Sequence, residues 1–409
     1  MINRRPFIIV ALSGLALAFL GVFALGVLAE EPMSNSYALL AQGWLDGRLD
    51  ADACFDNDCA LFEGRTYIIF PPVPGLVALP FVALFGVGFA HFLPITILAF
   101  AASGWLWWRI FRTQVESHDL SLLLVCLVLF ASPLAFVTLR GDHVWFFAQS
   151  WGFLFASAAL YCALVSRNTL LVGLFIGLAF LCRQMTILYL PVLYVLTLDR
   201  DTPWYRIDGA AIRRVLTMAA FPLLALGVYL AYNAARFGAP LETGYSFIFP
   251  MEWDSAPAEG DFLRARVREL GIFSDQYLLF NFIYMFIAGP HVEFAGRYLT
   301  EMVRFDINGA SLFLVTPVLL LAFLAPWNRD FWFGLATVSV ILGLTLFYHS
   351  NGFSQYSAQR YALDWLPVLL VFLARGVKQD FTAPLAVLVC YSMTITLSMI
   401  AFGGLLGGQ

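Results

Sequence analysis

The stretch PFIIVALSGLALAFLGVFALGVLA, residues 6–29, runs for 24 residues without a charge and stops at Glu30-Glu31. As a helix rising 1.5 Å per residue it reaches roughly 36 Å, enough to cross a hydrocarbon core of about 30 Å. Arg4 and Arg5 in front of it give it the look of a signal peptide. The run is longer than an ordinary signal core, however, and no small-x-small cleavage site opens a soluble domain behind it. It reads as a retained first membrane helix.

The rest of the chain has the same character. Of 409 residues 61% are hydrophobic, 16% aromatic and 12% charged, against a charged share of about 25% in soluble domains. Apolar runs of roughly 20 residues recur to the end, and inside a bilayer only helices satisfy their own backbone in such runs. The expectation is an all-α membrane protein with about 11 transmembrane helices. Lys and Arg are retained in short cytoplasmic flanks, so Arg4 and Arg5 put the N-terminus in the cytoplasm and Glu30 outside. Residues 71–92 contain Pro71, Pro72, Pro74 and Pro80. Reading them as a re-entrant or interfacial helix keeps Arg109 and Arg112 inside.

Further spans are expected at 93–111, 120–139, 144–165, 215–235, 309–327, 331–349, 361–375 and 382–402. Residues 169–194 read as two short spans hinged at Arg183-Gln184, because one continuous helix would bury that pair near the midplane. The chain thus divides into a transmembrane module, 1–235, with a first outer loop at 30–70; a second outer region, 236–308; and C-terminal helices, 309–409. The net charge is −4 and no basic arm is present, which argues against a nucleic-acid partner. An aromatic stretch at 276–290 has the pattern of an interfacial helix.

Four arginines, Arg140, Arg183, Arg236 and Arg360, fall where spans meet the outer surface, against the positive-inside bias. A guanidinium fork matches phosphate oxygens and stays charged, so these residues are candidate phosphate ligands. Snorkelling or pairing with carboxylates is the alternative, and Arg360 has Asp364 four residues on. Glu30 and Glu31 stand at the membrane edge, where partial desolvation suits a carboxylate to general-base work. They also serve simply to end the span. Asp142 with His143 is a second candidate pair, and the carboxylate there could equally cap a helix.

Asp50, Asp52, Asp56 and Asp58 surround Cys54 and Cys59. The Asp56-Asn57-Asp58 spacing admits a divalent metal, although a hydrophilic loop needs acids for solvation in any case. In an oxidising outer compartment Cys54 and Cys59 could close a small loop as a disulfide, whereas Cys126, Cys162, Cys182 and Cys390 lie in spans. No His spacing fits zinc or haem and no glycine loop fits phosphate, so no nucleotide and no obligatory cofactor is expected. Tyr67, Trp44 and Trp253 could stack on a sugar ring or anchor the membrane belt.

A set of short motifs recurs in order: Ser36-Tyr37-Ala38-Leu39-Leu40-Ala41, Gly47-Arg48-Leu49, Gly64-Arg65-Thr66-Tyr67, Pro71-Pro72-Val73-Pro74-Gly75, and Gly177-Leu178-Ala179-Phe180-Leu181-Cys182-Arg183-Gln184. Further on come Tyr232-Asn233-Ala234-Ala235-Arg236-Phe237-Gly238 with Gly244-Tyr245, Gly309-Ala310-Ser311-Leu312, and Arg360-Tyr361-Ala362-Leu363-Asp364-Trp365-Leu366-Pro367. Together they resemble the bacterial membrane glycosyltransferases of the GT-C type, relatives of the protein O-mannosyltransferases and of the aminoarabinose transferase of lipid A. The resemblance implies an inverting transfer from a polyprenyl-phosphate-linked sugar donor to a glycan, lipid or protein acceptor, at the periplasmic side of a bacterial inner membrane. It also implies an essential acid just beyond the first helix, here Glu31 or Glu30, and donor-phosphate ligands Arg183 and Arg360, with Arg140 and Arg236. Substrate contacts would come from Tyr67, Arg65, His143 and Tyr245. Many relatives carry an Asp near the Ser34-Asn35-Ser36 position, where this chain has none. Two other readings follow: a catalytically degenerate subunit of a membrane complex, or a ligase or polymerase of lipid-linked glycans. A transporter fits less well, since few charges sit at mid-membrane.

Overall fold

The computed structural model describes residues 5–30, 35–56, 58–89, 92–248, 263, 265–353, 355–378 and 381–406. Among them, six helices are long and apolar enough to cross a membrane: Ala11–Ala29, Phe92–Gln114, Val144–Ser166, Gly209–Phe237, Arg329–Leu346 and Thr382–Gly404. Shorter apolar helices fill the bundle between them. The protein is therefore a helical membrane protein. Its core gathers Trp107, Phe111, Leu124, Phe153, Leu366 and Leu373 from several of these helices.

Prolines decide where the expected spans break. The 120–139 segment forms one helix at His118–Phe130 and a separate six-residue helix at Leu134–Leu139. Pro133 removes an amide and keeps Ser132 out of the helical region, so the single span expected there is interrupted. The 309–327 span is likewise replaced by a strand, a short helix at Leu312–Val315 and a tight 3-10 run at Pro317–Leu324. The 361–375 span opens with a 3-10 turn, Arg360–Asp364, before the α-helix Leu366–Gly376. The proline-rich 71–92 segment holds a helix at Val73–Phe85, which at 13 residues rises about 20 Å and cannot cross a bilayer. It lies on the helix Ser36–Leu45, where Gly75 leaves room for Leu40 and Trp44.

Among the described residues, three two-stranded sheets correct the all-helical expectation. Strands β1 (Cys59–Phe62) and β2 (Arg65–Ile68) form a hairpin in the first loop. Its turn is Glu63-Gly64, both at positive φ, which suits the twist of a tight hairpin. Strands β3 (Val292–Ala295) and β4 (Glu301–Phe305) pair in the second region, and β5 (Asn308–Ala310) pairs in parallel with β6 (Gln355–Ala358). All six lie outside the long spans, where exposed backbone can find a ladder instead of a helix.

The helix Thr169–Phe180 packs closely on Gly209–Phe237. A Cβ at Gly173 would lie 2.3 Å from the Met218 carbonyl oxygen, so small residues let the two backbones meet. We expect Gly173→Ala to cost about 1–3 kcal/mol through overpacking, read as a lower melting temperature in detergent. Gly14→Ala, with nothing within 4 Å of its Cβ, should leave that temperature unchanged.

Candidate active site

The helix Thr169–Phe180 stops short at Leu181-Cys182, and Arg183 takes extended backbone (φ −146°) before a 3-10 run at Gln184–Tyr189. The break falls at the hinge expected from the sequence. It delivers the Arg183 side chain past Gly152, whose missing Cβ would otherwise sit 2.7 Å from Arg183 Cγ. Arg183 Nε donates to Asp364 Oδ1 at 2.9 Å and Nη2 donates to Asp364 Oδ2, a two-pronged ion pair. The guanidinium also lies 5.2 Å from the Tyr361 ring centre.

Arg360 meets the same aromatic ring. Its guanidinium is 5.0 Å from the same Tyr361 ring and 4.9 Å from Phe146. Nε and Nη2 donate to the Gly352 carbonyl, and Nη1 donates to Gln149 Oε1 at 3.0 Å. Gly352 holds φ +103° and lies so near Arg360 Nε that a Cβ would be 3.1 Å away, so both its backbone and its lack of side chain serve this contact. Arg360 is only 4% exposed, and among the described residues no carboxylate reaches ion-pair distance of it. The Asp364 partner expected from the sequence goes instead to Arg183. A 3-10 turn has three residues per turn, which takes residue i+4 off the line that an α-helix would give it. Burial pushes the Arg360 guanidinium down to about 10, still charged at neutral pH. A buried cation held only by neutral acceptors is costly unless an anion joins it.

The acid nearest in effect is one the sequence reading named only for solvation or metal binding. Asp58, in the first loop, accepts a hydrogen bond at Oδ2 from the Trp145 indole on the first turn of the helix Val144–Tyr161. Burial pushes its carboxyl up to about 7, Asp56 adds to the rise, and the Trp145 bond and Arg360 oppose it. Asp56 accepts from the Ser36 amide at 3.1 Å and from the Ser36 hydroxyl, and the Val144 amide also favours its charge. It ties the start of one helix to the start of another, while burial lifts it to about 6. The signal available in the sequence was the pair of acids between two cysteines, read there as solvation or metal binding. Among the described residues no group of three His, Cys, Asp or Glu could hold a metal ion.

An aromatic wall adjoins the arginines. The Tyr348 hydroxyl donates to the Tyr245 oxygen at 3.3 Å, the Tyr348 ring lies 6.1 Å from Tyr361, and His349 packs 4.3 Å from Tyr348. Burial pushes the His349 imidazole down to about 4, so it is neutral. Tyr245 is thus linked to the two arginines through Tyr348 and Tyr361.

Several other expected residues go elsewhere. Glu30 is half exposed and bound to Arg140 at 2.9 Å, and Arg140 also meets Asp142 at 3.4 Å. A glutamate and a phosphate candidate thus neutralise one another. Glu31 and Trp253 lie outside the described residues. His143 stacks on Trp145 at 5.8 Å, and burial with the nearby Arg140 and Arg360 pushes it down to about 3. Arg236 is buried and donates to the Ile68 carbonyl at 2.6 Å and to Asn233 Oδ1 at 2.8 Å. With its face 3.9 Å from Tyr232, it fastens the hairpin to the end of the long helix, and its Nε is buried without a partner among the described residues. Tyr67 is buried against Phe237 at 5.3 Å, so that face is already covered. Arg65 stands exposed on the hairpin, 3.7 Å from Asp50.

No protein-family model matches the chain, and no curated protein matches it. Among solved structures, the chain is similar to the crystal structure of ArnT from Cupriavidus metallidurans bound to undecaprenyl phosphate. The two share 16% identity with a TM-score of 0.43. The likeness covers 90% of this chain and 59% of the ArnT chain, so the chain spans under two thirds of that protein's length.

Proposed function

We propose that the protein is a membrane glycosyltransferase that moves a sugar from a polyprenyl-phosphate donor to an acceptor hydroxyl, with inversion. The observation that carries this reading is Arg360: a buried guanidinium with no carboxylate at ion-pair distance among the described residues, which shares the Tyr361 ring with Arg183 and feels the charge of Asp58. The ordered motifs set out above support it independently. In this reading the lipid phosphate settles between Arg183 and Arg360, and the sugar lies along Tyr245 and Tyr348. The acceptor hydroxyl attacks the anomeric carbon as the carbon–oxygen bond to phosphate breaks. Asp58 takes the hydroxyl proton, and the arginines receive the charge that develops on the leaving phosphate. Fixed donors aimed at developing charge are commonly the largest catalytic contribution. This reading gives the carboxylate role to Asp58 in place of Glu30, which is paired with Arg140; Glu31 lies outside the described residues, and Arg140 and Arg236 are assigned to the scaffold.

The test offers purified protein in detergent two donor sets, polyprenyl monophosphate-linked single sugars and diphosphate-linked oligosaccharides, with and without a chelator. Product from the monophosphate set alone, unaffected by the chelator, is the expected result. Turnover of the diphosphate set alone would make the protein a glycan ligase or polymerase. Tight lipid binding with no product from either set would make it a degenerate subunit.

A further inference from the structure

Two acids of the first loop lie inside one covalent ring. Cys54 and Cys59 are joined by a disulfide across a sequence separation of five, and Asp56 and Asp58 fall between them. The two ends of the ring are anchored differently. Cys59 opens β1, is fully buried and pairs with Ile68 across the hairpin. Cys54 has no strand partner. The last backbone anchor before it is Ala51, whose amide donates to the Thr66 carbonyl at 2.8 Å. Among the described residues from 52 to 58, no backbone-to-backbone hydrogen bond holds the segment. Among the described residues it is held by side chains instead: Asp52 pairs with Arg48, Cys54 packs against the core around Tyr37, Asp56 contacts Ser36 and Val144, and Asp58 contacts Trp145.

A segment with no ladder opens at little cost and samples many geometries. A cross-link around it removes most of them. We propose that the Cys54–Cys59 disulfide is the positioning element of this site: it fixes Asp58 on Trp145 and towards Arg360, and its cleavage by a dithiol reductant reversibly silences transfer. The inference rests on the assignment of Asp58 as proton acceptor. The chemistry is ordinary exchange. A thiolate of the reductant attacks Cys54 Sγ, the less buried of the two sulfurs, and Cys59 leaves as thiolate. The second thiol of the reductant then closes its own disulfide. Two electrons and two protons end on Cys54 and Cys59. The remaining cysteines, Cys126, Cys162, Cys182 and Cys390, are already free thiols, so the reductant changes this pair alone.

The experiment treats full-length protein with dithiothreitol, traps the thiols by alkylation, and measures transfer from the polyprenyl-phosphate donor and hydrogen exchange across the 50–62 segment. A Cys54→Ser/Cys59→Ser variant runs alongside. The expected result is a roughly 10²-fold fall in kcat, the size that a misplacement of about 1 Å causes. KM for donor should stay nearly constant, because neither arginine is touched. Exchange in the loop should rise. The acid limb of the pH profile should move down from near 7 towards the ordinary carboxylate range, as Asp58 leaves its buried site. Reoxidation without alkylation should restore the wild type, and the serine variant should behave as the reduced form throughout. Unchanged kcat and unchanged exchange, with both thiols alkylated by mass spectrometry, would overturn the proposal. If oxidised protein transfers from no donor, the transfer reading fails and exchange alone decides. Lost protection on reduction then upholds the positioning role, and retained protection removes it.

Discussion

Arg360→Ala should weaken binding of polyprenyl phosphate by about 10²-fold, the equivalent of roughly 2.7 kcal/mol. The expectation follows from where the charge sits. Arg360 is buried, and Gly352 and Gln149 satisfy its donors without neutralising it. Truncating one member of a desolvated charge pair typically costs 2–5 kcal/mol, and here the missing member is the ligand. Arg183 makes a poorer test. Its charge is already matched by Asp364, and removing it would strand a buried carboxylate at a cost of about 3–5 kcal/mol in folding. Affinity measured by calorimetry, with thermal unfolding in parallel, separates the two effects. Lipid at 100 times Kd should stabilise the wild type by about 2.7 kcal/mol and the variant far less. Arg360→Lys keeps the charge but not the fork, so it should recover part of the affinity. An unchanged affinity for Arg360→Ala would leave that guanidinium as a clamp on the Gly352 turn and nothing more.

What the sequence made legible was governed by solvent. Uncharged runs such as residues 6–29 can be nothing but helix in a bilayer, and the Arg183-Gln184 break was readable because a charged arginine beside a polar glutamine in mid-span is too costly to accept. The proline breaks were written in the chain as well, at Pro133, Pro317 and Pro367, but hydropathy windows pass over a single proline. The site was legible by halves. Arg183 and Arg360 are 177 positions apart, and each was flagged for defying the positive-inside bias. That they share Tyr361 depends on how the helices cross, which no local pattern encodes. Asp364, offered as an alternative partner for Arg360, pairs with Arg183 instead, because the i,i+4 rule presumes an α-helix and residues 360–364 are a 3-10 turn. Asp58 was passed over for a similar reason. In sequence it is one of four aspartates between positions 50 and 58 of a polar loop. Only its seat under Trp145, set by the start of a helix 87 residues later, distinguishes it from Asp52, which is solvent-exposed and paired with Arg48.

Asp58→Asn is the substitution with the largest expected effect on turnover: kcat should fall about 10³-fold, within the 10²–10⁴ range for loss of a positioned general base. Donor affinity should hold, because the arginines that grip phosphate stay in place. In the wild type kcat/KM should rise about tenfold per pH unit below 7 and level off above it, since only the deprotonated carboxylate accepts a proton and its value is about 7. The variant should lose that limb. The same group makes an independent prediction about stability. Its folded value is raised above the ordinary 3.8, so between roughly pH 4 and 7 the fold holds a proton that the unfolded chain has released. The stability contributed by the buried neutral acid is therefore complete below pH 4 and lost as pH rises through 7. Asparagine never ionises, and its side-chain oxygen still accepts from Trp145. Asp58→Asn should consequently melt above the wild type at pH 8 and alongside it at pH 4. A residue that destabilises its own fold at working pH, and whose removal stabilises it while stopping turnover, is kept for chemistry. If the variant instead turns over normally, or melts lower at pH 8, Asp58 is a structural anchor and the proton goes elsewhere, with Asp142 the next buried acid to test.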